Sequence, residues 1–194
     1  EVGDLMQAMQ RMQRDLRERT ETDQAIAREN LRIRTALDYS STGVYLTDNQ
    51  LNIVYANRAL EQSLTQYQDE LRKHLPDFDA GTSLVGRPLT VLEHRGEMDA
   101  NLLNNLKANG VARRAMQFGD AQFAQVVSTI RNQDGESVGH VVEWRDRTPE
   151  ALVEAEVARV IAQAAAGDLS GRIRADGKEG FFLQLAQQIN GLLD

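Results

Sequence analysis

Three strand-like runs follow one another at 111–118, 121–131 and 136–146, separated only by Gly119–Asp120 and by Asn132–Gln133–Asp134–Gly135. Connections that short join antiparallel neighbours, because a parallel crossover needs a dozen residues or more. A hairpin precedes them: Val44–Asp48 alternates, Asp48–Asn49 supplies turn chemistry, and Asn52–Asn57 reads as its second strand. A helix is expected from Arg58 to about His74, with Leu60, Leu64, Tyr67 and Leu71 at core spacing, Asn57 as its N-cap and Pro76 beyond its end. The stretch 76–96 is rich in Gly and Pro and has room only for short helical turns, and a further helix at about 97–109 stops at Asn109–Gly110. The order β-β-α-irregular-α-β-β-β implies the α+β class, a five-stranded antiparallel sheet with helices on one face.

The flanks have a different period. Residues 1–38 contain no proline and a single glycine, Gly3, and stepping by four and three from Leu5 traces a heptad seam. That seam runs through Met9, Met12, Leu16, Arg19, Asp23, Ile26, Asn30, Ile33 and Leu37, apolar at both ends and polar in the middle. Charged flanks such as Arg14, Asp15, Arg17 and Glu18 favour a coiled coil in a dimer over a helix lying on a core. From 149 to 194 a heptad beat returns, interrupted by a connector that carries Gly167, Gly171 and Gly177. The expected organisation is a helical segment at 1–38, an α+β unit at 39–148 and a helical module at 149–194. Helices in series with such a unit are a signalling layout, since rotation or splay can carry a change along their axis.

Composition removes several functions. A net charge of −7 gives no basic field, so nucleic acid is not an expected partner. With no cysteine there is neither a disulfide nor a thiolate metal site nor a thiol for a light-sensing flavin adduct. No apolar run of about 18 residues spans a membrane, so this region is expected in the cytoplasm, while an anchor elsewhere stays open. The chain begins in mid-pattern and reads as a piece of something longer. There is no phosphate loop, no HExxH pair and no nucleophile elbow, and His74, His94 and His140 are far apart, so no enzyme is expected.

The stretches "GVYLTDNQLNIVYANRALEQSL" at 43–64 and "RNQDGESVGHVVEWRDRT" at 131–148 resemble the opening and closing of a PAS domain, and Asp146–Arg147–Thr148 is similar to the D-x-T signature that ends many PAS cores. The flanks resemble HAMP modules: "EVGDLMQAMQRMQRDL" at 1–16 and "VARVIAQAAAGDLSGRIRADGKEGFFLQLAQQINGLLD" at 157–194. Together they resemble the HAMP–PAS–HAMP input region of a methyl-accepting chemotaxis protein. That implies a sensory homodimer held by coiled-coil and HAMP helices and feeding a downstream signalling domain, with Asp146 and Thr148 in the signalling exit.

"LRKHLPDFDA", "LVGRPL" and "EWRDRT" are most similar to the haem-binding PAS domains of Aer-type oxygen receptors. The resemblance implies haem b as cofactor and O2 as ligand, with His94 holding the iron after the L-x-G stretch and Trp144 donating its indole N–H to bound O2. It implies a pocket that includes Val142, His140, Leu102 and Gln125, with His140 as the other candidate iron ligand. The chain departs from the family's aromatic-His-Lys-Asn-Pro run with Glu93–His94–Arg95–Gly96, one residue short of the usual spacing to Leu102–Leu103. Strand alternation puts Val138, His140, Val142 and Trp144 on one face, the inward one because Glu143 and Arg145 lie on the other. The alternative is a PAS domain without haem, serving as a dimerisation and relay module or binding a small ligand.

Overall fold

A computed structural model describes residues 2–93 and 100–194 of the chain, without the side chains of residue 2 and residues 100–103. His94 therefore lies outside the described residues, and Leu102 is placed on its helix without its side chain.

Five strands, β1 (Gly43–Thr47), β2 (Ile53–Ala56), β3 (Val111–Phe118), β4 (Ala121–Arg131) and β5 (Ser137–Asp146), form one antiparallel sheet in the order β2-β1-β5-β4-β3. The last strand thus runs through the centre beside the first, with Trp144 opposite Gly43 on one side and Gln125 on the other. The β1–β2 turn follows from Asp48, whose carboxylate accepts the amides of Gln50 (2.9 Å) and Asn52 (2.8 Å). Backbone bonds from Gly86 and Leu89 to Ile53 and Leu51, and from Ile53 to Arg87, cover the β2 edge and keep it from templating another strand.

Helices α2 (Arg58–Gln66), α3 (Gln68–His74) and α4 (Ala100–Asn109) and a 3₁₀ turn at Leu89–Leu92 accompany the sheet. Along β4, Ala121, Phe123, Gln125 and Val127 are buried while the intervening residues are half-exposed, the period-2 signature of a sheet covered on one face. Leu60, Leu64 and Leu71 enter the same core, each contributing about 1.5–3 kcal/mol by burial.

Two expectations change here. The helix expected to run unbroken from Arg58 to His74 divides at Tyr67 (φ −105°, ψ 18°), the residue whose hydroxyl bonds to Asp146 across the fold. Val138, expected inward, is 50 % exposed. The β4–β5 register shifts between Ile130 and Arg131, and Gly139 takes φ 144° where any Cβ would fall 2.0 Å from the Thr47 carbonyl oxygen. That close approach breaks the alternation below His140.

Helix α1 (Val2–Asp38) is about 55 Å long, and its seam residues Leu5, Met9, Met12, Leu16, Ile26 and Ile33 are exposed. At the other end α5 (Thr148–Ala165) and α6 (Gly180–Leu192) enclose a small core of Val160, Ile173 and Ala186. Asn190 holds the connector against them, accepting from the Ile173 amide (2.8 Å) and donating to its carbonyl (2.9 Å). No described helix is long and apolar enough to cross a membrane.

Candidate functional site

Alternation along β3 points Ala112, Arg114, Met116 and Phe118 toward the interior, and Arg114 lies directly opposite Gln125 of β4. Its Nε donates to Gln125 Oε1 at 2.7 Å, and a terminal guanidinium nitrogen donates to Glu93, the residue that follows the 3₁₀ turn. Gln125, 1 % exposed, donates in turn to the Tyr45 hydroxyl at 3.3 Å. Glu93, Arg114, Gln125 and Tyr45 therefore make one connected polar group inside an otherwise apolar core. The ion pair's side chains are 4 % and 16 % exposed, so their attraction is little screened. Burial, reinforced by the Glu93 charge, raises the Tyr45 phenol far above its ordinary range and keeps it protonated.

Beside this group lies a cavity of about 40 Å³, lined by Tyr45, Leu89, Leu106, Gln125, His140 and Val142 among others. On the scale of about 10–15 Å³ per water, it holds a few waters at most. Thr47 Oγ1 approaches His140 Nδ1 at 3.4 Å. Burial lowers the His140 pKa from its ordinary value. The unfolded chain then takes up the proton first as pH falls through about 6.5, so stability is full above that value and declines below it. The urea midpoint is expected to drop between pH 7.5 and 5.5, and His140→Gln should flatten the part of that decline that belongs to this ring. An unchanged slope in the variant would contradict the assignment.

A second constellation stands where β5 leaves the sheet. Asp146 accepts the Tyr67 hydroxyl on Oδ2 (2.7 Å) and the Thr148 amide on Oδ1 (2.8 Å). Thr148 Oγ1 accepts the Gln122 amide (2.9 Å), and the Arg147 amide donates to the Gln122 carbonyl (2.7 Å). The first turn of α5 is thus stitched to β4 and to the end of α2. Burial and the Asp146 carboxylate raise the Tyr67 pKa, so its hydroxyl stays a donor. The sequence suggests a basic partner for Asp146, Arg147 or a residue of the preceding coiled coil; its bonds go to Tyr67 and Thr148 instead, while Arg147 pairs with exposed Glu154 at 3.2 Å. A surface pair of that kind is worth about 0–1 kcal/mol.

Trp144 is inward, as alternation requires, and 1 % exposed. It lies not against the cavity but in an aromatic cluster, stacked on Phe118 (6.5 Å, 8° between planes) and tilted against Phe123 (5.0 Å), which Tyr67 meets edge-on at 5.4 Å. Its Nε1–H is buried and bonds to none of the described residues. Val142, His140 and Gln125 do share the cavity wall.

Haem, the cofactor that the resemblance implies, is larger than the cavity lined by the described residues. Cofactor pockets run to about 300–1,000 Å³, whereas this cavity is about 40 Å³ and is bordered by the Glu93–Arg114 pair. Among the described residues the unbonded Trp144 Nε1 suits a haem-bound ligand, and it is not on the cavity wall. Of the residues missed in sequence, Arg114 was legible from its parity with Ala112 and Phe118. Glu93 carried no local signal, since it falls in no periodic run that fixes its direction, and Tyr67 was legible as a core position but not as the partner of Asp146.

Residues 31–94 match the PAS domain family. The chain is 41 % identical over 177 residues to the methyl-accepting chemotaxis protein McpB of Pseudomonas aeruginosa, a match that takes in 91 % of the chain and 26 % of that relative's length. Among solved structures, it is similar to the Aer2 receptor of Vibrio cholerae, described as a dual PAS-haem oxygen sensor, at 23 % identity and a TM-score of 0.44 over 54 % of this chain and 93 % of that one. It is also similar to a PAS domain from Colwellia psychrerythraea at 19 % identity and a TM-score of 0.46, over 64 % and 98 % of the two chains.

Proposed function

The globular unit of this chain is a PAS domain, and from that premise we propose that the chain is the sensory-input and relay region of a chemoreceptor, working without haem. The observation that carries the proposal is Asp146, whose two carboxylate oxygens hold Tyr67 of the sensor core and Thr148 of the outgoing helix together. A change in the packing of β5 or of Tyr67 alters those bonds, and the start of α5 is the first place to register it. The similarity to a chemotaxis protein supports the receptor context; the rest of such a receptor, including its signalling domain, lies outside this chain.

In the same proposal, residues 1–38 and 149–194 are HAMP-like helical segments on either side of a PAS sensor at 39–148. The exposed apolar seam of α1 supports pairing with a second copy of the chain, since a stripe at heptad spacing buries itself best against its own image. The region works in the cytoplasm and catalyses no reaction.

Haem b and O2, with His94 as iron ligand, Leu102 in the pocket wall and Trp144 as donor to bound O2, are the finer reading to which the sequence points. The small cavity supports the alternative, a PAS domain that serves as a dimerisation and relay module or binds a small ligand. Amide hydrogen exchange tests the relay. Asp146→Asn should raise exchange in the first turn of α5 by about fivefold, the population change that loss of one ordinary hydrogen bond produces. Unchanged exchange there would overturn the proposal.

A further inference from the structure

The incoming and outgoing helices are also connected through α2. At its start stands Asn57, 0 % exposed. Its Oδ1 accepts the amides of Leu60 (3.0 Å) and Val44 (2.8 Å), and its Nδ2 donates to the carbonyls of Leu37 (2.8 Å) and Thr42 (3.0 Å). All four hydrogen-bonding positions of the side-chain amide are used. One of them takes the Leu37 carbonyl in the last turn of α1, which also accepts the Ser40 amide (3.1 Å). A second tie supports this end, where the Tyr55 hydroxyl donates to Asp38 (2.8 Å) and Arg34 lies over the Tyr55 ring (5.7 Å).

At its other end α2 stops on Tyr67, whose hydroxyl donates to Asp146, the residue that also holds the first turn of α5. Between the two ends the helix has little freedom. Leu60 and Leu64 are buried, and at Gly43 the backbone of β1 comes so near that a Cβ would lie 3.1 Å from Leu60 Cα and 2.9 Å from the Trp144 carbonyl oxygen. A sideways shift of α2 is therefore blocked by the sheet, while a small rotation or axial shift keeps its apolar face covered.

We propose that α2 is a strut that links the end of α1 directly to the start of α5, with Asn57 and Tyr67 as the positioning residues at its two ends. The strut is about 13 Å long and bypasses the cavity. It makes the PAS domain a through-connection between two helical segments as well as a sensor of its own interior. The inference rests on the relay reading of Asp146, and its test separates the two.

The test is hydrogen exchange on the whole chain. Asn57→Asp keeps the oxygen that caps α2 and replaces the donor to Leu37 and Thr42 with a second acceptor. It should loosen amides 39–40 at the end of α1 and raise exchange at amides 148–151 of α5 by about fivefold. In a Tyr67→Phe background the effect on α1 should persist while the further increment at α5 disappears, a non-additivity that a purely local stabilising role does not give. The same increment at α5 in both backgrounds would overturn the strut. If Asp146→Asn alone leaves α5 unchanged, the relay reading itself fails, and the strut with it. Should Asn57→Asp not fold, Asn57→Ser serves the same comparison, since a serine caps α2 but cannot reach both carbonyls.

Discussion

Replacing Arg114 with methionine should destabilise the PAS domain by about 3–5 kcal/mol, the cost of removing one member of a buried ion pair. Glu93 would keep its place after the 3₁₀ turn and lose the guanidinium that faces it, while Gln125 would lose the donor to its Oε1. Against a domain stability of about 5–15 kcal/mol, that loss brings the fold close to its limit. Adding Glu93→Leu to the same molecule should restore most of it, because a buried ion pair exchanged whole for apolar side chains is often neutral or better. Urea denaturation of the single and double variants reads both effects. A single variant within about 1 kcal/mol of the parent would mean that the pair is solvated and that the interior is more open than described.

Trp144→Ala should cost about 3–5 kcal/mol. The indole fills the space between Phe118 and Phe123, and its removal opens a cavity at the centre of the sheet beside the exit to α5. Trp144→Phe is the more informative change. It keeps an aromatic ring against both neighbours and removes an N–H that bonds to none of the described residues. Its cost should therefore stay under about 2 kcal/mol. If phenylalanine were as damaging as alanine, the indole N–H would have a partner that the folded chain depends on, and Trp144 would be a ligand donor before it is a packing residue.

The sheet was legible because its signals are local. Runs 111–118 and 121–131 were bounded by turn residues and match β3 and β4 to the residue. Asn57 was legible as a cap, but its bonds to Leu37 and Thr42 were not, since they depend on where α1 meets the core. The break at Tyr67 was hidden because leucines continue at helical spacing on both sides of it. What divides the helix there coincides with a hydrogen bond spanning 79 residues of sequence. Val138 misled because strict alternation assumes an unbroken register, and the close approach of Gly139 to Thr47 ends it.

The candidate site divides in the same way. Gln125, Val142 and His140 follow from strand parity and do border the cavity. Arg114 follows from the same parity, although a charged residue in a strand is easily assigned to the solvent face. Glu93 could not be anticipated, because it leaves a short 3₁₀ turn whose direction is set by tertiary packing. Its presence beside Arg114 puts a buried ion pair on the wall of the small cavity.

An absorption spectrum of the purified chain, expressed with haem precursor and recorded reduced, oxygenated and under CO, tests the proposal of a PAS domain without haem most directly. No Soret band is expected in any of the three states. A Soret band that shifts between them would contradict it, opening the interior around Glu93 and Arg114 to haem and returning Trp144 to the role of ligand donor.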